Sequence, residues 1–229
     1  MKFGFYVSKN ATRLVGALQA NILQKKNTAF VLTDYSETPH LQQACDKFEI
    51  PLYNYSYERY SLSGKDRNKF ISDRFLELLR KNECDYGFAW GGRLLLVGDI
   101  LEEYEKRLIN FHPSLLPAYK GQTKAIDAAL QENVLLLGNT AHFINEKADD
   151  GTMIMQSIFC SHNFKSYDDV LDLQILMLKQ IILWIEQKRF VFDNDKFRII
   201  NAKYEIDTFI PNLEFQSLHQ YDTSQTTCP

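Results

Sequence analysis

The sequence predicts an α/β protein: a Rossmann-like open, mostly parallel twisted sheet with a small hairpin-containing region at the C-terminal end. Three observations carry this. Short apolar runs alternate with longer segments of helical period through the first 112 residues. Strands separated by helices must run parallel and be joined by right-handed crossovers. From Asn139 the rhythm changes, with "NTAHFI" and "MIMQSIF" flanking the turn-like "NEKADDG", as expected for antiparallel strands closing the sheet.

Taken in order, "FGFYV" (3–7) reads as a strand and 11–26 as a helix with Leu14, Leu18 and Ile22 on one face. "FVLTD" (30–34) is a second strand, and 37–48 is helical. Residues 66–82 form an amphipathic helix that turns Phe70, Phe75, Leu78 and Leu79 inward. "YGFAW" (86–90) and "RLINFH" (107–112) are the next strands, with a helix near 98–106 between them. After the antiparallel pair, a single long helix is expected over 167–188, carrying Val170, Leu173, Leu176, Leu178, Ile181 and Ile185. "RFVFDNDKFRII" (189–200) alternates apolar and polar residues around Asp-Asn-Asp and reads as a hairpin; the aromatic tail from 201 is irregular. This divides the chain into a main α/β domain over 1–188 and a hairpin-and-tail region over 189–229, a candidate for dimerisation or nucleotide binding.

With 229 residues the chain can build one sizeable core. Its net charge of −3 and lack of a basic stripe argue against nucleic acid, leaving small molecules or other proteins as partners. Cys45, Cys84, Cys160 and Cys228 are far apart and make no metal spacing. The apolar start is too short for a signal segment or membrane span, so a reduced, cytoplasmic protein without metal is expected and the sequons at Asn10 and Asn54 carry no meaning.

In an open parallel sheet, ligands bind beyond the carboxyl ends of the strands. Three loops leave such ends. "SKNATR" (8–13) opens a helix, where free N–H groups attract anions and Thr12 and Arg13 add donors; Asn10 as a plain helix cap is the competing reading. "WGGRLL" (90–95) holds Gly91 and Gly92, which permit either close approach of a ligand or an ordinary tight turn. In "NFHPSLLPAYKG" (110–121), Asn110 and His112 project to the same side of a strand end, and Pro113 and Pro117 stiffen the turn behind them. His142, within an apolar strand, fits a satisfied core histidine as well as a site residue, and Asp149-Asp150-Gly151 fits a turn.

"INFHPSLLPAYKG" followed by "GNTAHFINEKADDGTMIMQ" resembles the folate-dependent formyltransferase family over about residues 1–185. The resemblance implies N10-formyltetrahydrofolate as cosubstrate, no metal, and Asn110, His112 and Asp149 as the catalytic trio. It places Gly92, Arg93, Leu94 and Leu95 in the folate pocket, largely through backbone groups, with His142, Lys147 and Ala148 on its other side. Ser8, Asn10, Ala11, Thr12 and Arg13 fall where relatives hold the substrate phosphate, and Lys124 lies close by in sequence. The expected chemistry is amine attack on the formyl carbon. Asn110 and a protonated His112 then donate hydrogen bonds to the oxyanion, and Asp149 favours the protonated ring.

Two departures bear on the amine. Lys9-Asn10-Ala11-Thr12-Arg13 stands where the glycinamide ribonucleotide enzymes carry Gly-Asn-Gly-Ser-Asn, and "QTKAIDAAL" follows Gly121 where they have a histidine-containing stretch. Thr152-Met153, in place of the usual Gly-Pro or Pro-Ile, bears instead on the geometry of the folate loop. "YKG" followed closely by "AIDAAL" looks more like the sugar-nucleotide N-formyltransferases, as does the hairpin. The expected acceptor is therefore a nucleotide-linked amino-deoxy sugar of the dTDP-4-amino-4,6-dideoxyglucose kind, as in O-antigen synthesis, in a homodimer. Lys9, Arg13 or Lys165 would meet the pyrophosphate, and Tyr204, Phe209 or Tyr221 would stack on the base, with solvated charge and core aromatics as the favoured competing reading for each. Glycinamide ribonucleotide formylation and formyltetrahydrofolate hydrolysis are the alternatives.

Overall fold

The computed structural model describes residues 1–56, 61–194 and 196–215. The alternating first half folds into five parallel strands: β1 (Phe3–Val7), β2 (Thr28–Thr33), β3 (Leu52–Asn54), β4 (Tyr86–Ala89) and β5 (Leu108–His112). Helices α1 (Thr12–Gln19), α2 (Pro39–Lys47), α3 (Gly64–Lys81) and α4 (Asp99–Glu103) connect them. After α5 (Ala125–Gln131), β6 (Leu136–Phe143) runs antiparallel to β5, and β7 (Met153–Cys160) antiparallel to β6. Next come α6 (Tyr167–Leu171), α7 (Leu173–Glu186) and the hairpin β8 (Phe190–Asp193) and β9 (Lys196–Ile199).

The tail is less irregular than its composition suggests. β10 (Phe209–Ile210) pairs antiparallel with β7 and completes an eight-stranded sheet of order β10-β7-β6-β5-β4-β1-β2-β3. Phe209 is consequently a buried sheet residue, not the exposed base-stacking side chain expected of it. Tyr204 is exposed on the preceding loop, and the expectation for Tyr221 lies outside the described residues.

Both faces of the parallel strands are buried, as helices on both sides require. Phe3, Phe5 and Val7 of β1 pack with Leu14 and Leu18 of α1 and Met177 and Ile181 of α7. Tyr6, pointing the other way, packs with Ile71, Phe75 and Leu79 of α3. The helix expected over 11–26 stops at Gln19, because Asn21 turns left-handed (φ 57°) and the chain folds back to bury Leu23. The helix expected over 167–188 is interrupted at Asp172, where Ile175 N–H bonds three residues back instead of four. β3 and α5 were not foreseen; a three-residue strand and a seven-residue helix are too short for periodicity to register.

The chain leaves β1 toward β2 and β3 on one side, then returns to β4 on the other. This reversal opens a crevice beyond the carboxyl ends of β1 and β4. The two loops that border it are 8–13 and 90–95.

Candidate active site

β5 places Asn110 and His112 two residues apart at its carboxyl end, so both side chains leave the same face. β6 lies antiparallel beside it, with His142 directly opposite Asn110. Beyond β6 the chain loops out and returns to β7, closed by Phe143 N–H donating to Thr152 O at 2.9 Å. Within that loop Asp149 adopts a left-handed conformation (φ 51°), which aspartate tolerates better than most residues, and its carboxylate points back at the strand ends. Gly151 is needed there: a Cβ on it would fall 1.7 Å from the Phe143 carbonyl oxygen.

Four side chains converge. Asp149 Oδ2 lies 3.2 Å from His112 Nδ1 and accepts a 3.0 Å hydrogen bond from Gly121 N–H. Its Oδ1 accepts from Asn110 Nδ2 at 3.3 Å and lies 3.5 Å from His142 Nε2. Asn110 Nδ2 also stands 3.2 Å from His142 Nε2. His142 Nδ1 is 2.9 Å from its neighbour's carbonyl, Phe143 O; only a donor fits that contact, which leaves Nε2 facing the site. His142 is thus both readings at once, a satisfied buried histidine and a member of the cluster.

The loop behind β5 is fastened independently. Thr140 Oγ1 donates to Ser114 O (2.7 Å) and accepts from Leu116 N–H (3.0 Å) and Gln156 Nε2 (2.9 Å). Lys120 pairs with Asp150, stitching this loop to the one that carries Asp149. A buried threonine that sequence reasoning did not single out therefore fastens this loop to β6.

The electrostatics correct one expectation. Burial lowers the His112 imidazole below its ordinary value, and this outweighs the Asp149 charge and the Tyr119 carbonyl 3.2 Å from Nε2, both of which raise it. His112 therefore rests neutral near pH 7 instead of protonated. For Asp149, burial alone would raise the carboxyl, but His142, the His112 charge and Gly121 N–H together hold it below the ordinary carboxylate range. The resting site is a carboxylate beside a neutral imidazole, with acceptors waiting at both imidazole nitrogens.

On the neighbouring strands, a cleft of about 240 Å³ is lined by Ser8, Lys9, Asn10, Ala11, Thr12, Arg13, Leu14, Trp90, Gly91 and Arg93. Asn10 does not cap α1; Ala11 occupies that position without a side-chain bond. Lys9 and Ala11 both take left-handed conformations (φ 53° and 45°). Both positions hold left-handed backbone without glycine, the residue that region favours. Three cations, Lys9, Arg13 and Arg93, share the cleft. It lies one to two strands from Asn110, on the order of 10 Å away.

Of the other expected contacts, Leu95 is exposed beside the cleft and Leu94 half-buried. Lys147 is exposed and Ala148 half-buried on the Asp149 loop. Lys124 caps α5 and Lys165 precedes α6, and neither lines the cleft. Sequence reasoning missed Gly121, Tyr119 and Thr140, which act through backbone position or an ordinary-looking strand residue and leave no motif.

An open sheet with a switch-point cleft and an Asn-His-Asp cluster at the next strand end is the architecture of an α/β enzyme. The chain belongs to the formyl transferase family, whose model matches residues 1–163. It is 28% identical over 160 residues to phosphoribosylglycinamide formyltransferase of Bacillus subtilis, covering 68% of this chain and 77% of the relative. It is 31% identical over 119 residues to the formyltetrahydrofolate deformylase of Haemophilus influenzae, spanning 52% of this chain and 40% of that protein. The fold matches glycinamide ribonucleotide transformylase 1 of Symbiobacterium toebii with a TM-score of 0.74 at 22% identity, over 88% of this chain and 94% of that one. These relatives support the alternative acceptors of the sequence reading above the amino sugar.

Proposed function

We propose that the protein moves a formyl group from N10-formyltetrahydrofolate to the primary amine of a phosphate-bearing small molecule, with glycinamide ribonucleotide as the leading acceptor. The observation that carries this reading is the Asn110–His112–Asp149 cluster beside a cleft holding Lys9, Arg13 and Arg93. The relative covered over three-quarters of its length carries the glycinamide ribonucleotide name.

In this reading the amine attacks the formyl carbon and a tetrahedral oxyanion forms in front of Asn110. Asn110 Nδ2 exchanges its contact with Asp149 for one with the oxyanion, a donor typically worth about 3–4 kcal/mol of barrier. His112, neutral at rest, takes the proton of the attacking amine, directly or through water. The resulting imidazolium is held by Asp149 at Nδ1 and the Tyr119 carbonyl at Nε2. Collapse then returns a proton to the departing folate nitrogen. Anion recognition falls to the free N–H groups at the start of α1 and to Arg13, whose guanidinium reaches beneath Gly91.

One observation favours a second acceptor class. Three cations in the cleft match a diphosphate as well as a monophosphate, which keeps the nucleotide-linked amino-deoxy sugar as the second candidate. The test is to offer the purified protein N10-formyltetrahydrofolate with each amine in turn. Formylation of glycinamide ribonucleotide supports the leading reading. Formylation of a dTDP-amino sugar alone replaces it with the second, and rapid formate release without any amine replaces both with hydrolysis.

A further inference from the structure

Tyr6 and Asp34 form a buried polar pair that the proposed chemistry does not use. Tyr6 points from β1 into the α3 side of the sheet and is fully buried. Its hydroxyl donates to Asp34 Oδ2 at 2.9 Å and accepts from Leu94 N–H at 3.2 Å. The phenol is held well above its ordinary value, chiefly by burial and then by the Asp34 charge, so it stays a donor. Asp34, at the carboxyl end of β2, is 2% exposed, with Arg93 near enough for its charge to be felt and Ser8 beside it.

The same ring sets the path of the loop above it. A Cβ on Gly92 would lie 2.4 Å from Tyr6 Cε1 and 2.7 Å from Cδ1. The backbone of 91–94 therefore rests on the phenol: glycine lets it sit down on the ring, and the hydroxyl catches the next free N–H. A buried N–H without a partner is costly, so this contact sets the orientation of the peptide before Leu94.

We propose that Tyr6, backed by Asp34, is the positioning residue of the folate pocket, presenting the Arg93–Leu95 backbone to the pterin. This rests on the reading that the loop lines that pocket. Leu94 N–H, Tyr6 O–H and the Asp34 carboxylate form a polarised chain that ends on the backbone of this loop. Tyr6 and Asp34 touch no reacting atom.

The experiment measures tetrahydrofolate binding by calorimetry, and KM and kcat for N10-formyltetrahydrofolate, in Tyr6→Phe, Asp34→Asn and Asp34→Leu. Tyr6→Phe should raise KM for the folate about tenfold, with kcat within threefold and the acceptor KM unchanged. Asp34→Asn, which still accepts the phenol's hydrogen bond, should recover most of the wild-type affinity; Asp34→Leu should not. Gly92→Ala should be damaging in the wild type and less so with Tyr6→Leu, which removes the ring beneath it. Lowered thermal stability with unchanged folate KM would make the pair purely structural and overturn the proposal. Wild-type protein that binds no folate would instead overturn the reading on which it rests.

Discussion

His112 Nδ1 and Asp149 Oδ2 stand 3.2 Å apart, although helix α5 and strand β6 lie between them in the chain. This contact turns two separate motifs into one site. It joins a neutral buried imidazole to a carboxylate kept ionised by its hydrogen bonds. A proton arriving on His112 therefore finds a counter-charge already in place.

Removing the imidazole should be the most damaging single change at the site. His112→Ala is expected to lower kcat by about 10²–10⁴, the usual contribution of a positioned acid–base group. Acceptor binding should be largely spared, because the cleft is lined by residues of the 8–14 and 90–93 segments. Steady-state kinetics with separately measured binding check this.

Asp149→Asn tests charge apart from shape, since asparagine also tolerates the left-handed backbone at this position. The variant should fold, keep Gly121 N–H partnered, and lose the counter-charge for the imidazolium. The expected result is a kcat at least tenfold lower, with the apparent pKa of His112 moved further down because the raising charge is gone. Imidazole NMR titration reads the second effect directly.

The pH dependence follows from the same two groups. Burial holds His112 below its unfolded value, so on acidification the unfolded chain binds that proton first and stability falls once the pH drops below about 6.5. Asp149 is depressed in the fold, so its contribution is present above the ordinary aspartate value and lost as the pH falls through its lower folded value. Both act in the same direction. Thermal midpoints should decline progressively into acid, and His112→Ala should remove the step that begins first. For activity, kcat/KM should rise with pH along an acid limb that His112 sets and then level off.

A fully buried chain of hydrogen bonds supports the cleft from beneath. Trp90 Nε1 donates to Gln174 Oε1 at 2.8 Å, and Gln174 Nε2 donates to Asn139 Oδ1 at 2.7 Å. Gln174→Leu conserves volume but leaves the indole N–H and the Asn139 oxygen unpaired. It should cost about 2–6 kcal/mol in denaturant unfolding, at about 1–3 kcal/mol for each of the two orphaned groups.

The parallel half of the fold was legible in β1, β2, β4 and β5, each a compact apolar run joined by helices that show their period, and not in the three-residue β3. The Asn110, His112 and Asp149 cluster was legible only as two motifs whose convergence rests on pairing of β5 with β6, which the sequence implies but does not display. The lowering of the His112 imidazole was not legible, since burial is a property of the assembled core and not of the motif. β10 and the burial of Phe209 escaped notice because a two-residue strand has no pattern of its own. Tyr6 likewise looked like one more strand residue, and nothing in "FGFYV" signals the loop that rests on it.

The central claim is that this site passes a formyl group from folate to an amine. The most direct measurement supplies N10-formyltetrahydrofolate with a ¹⁴C-labelled formyl group together with glycinamide ribonucleotide and follows where the label goes. The account predicts label on the amine, tetrahydrofolate released in equal amount, and both lost in His112→Ala. Label appearing as formate at the same rate with and without the amine would contradict it.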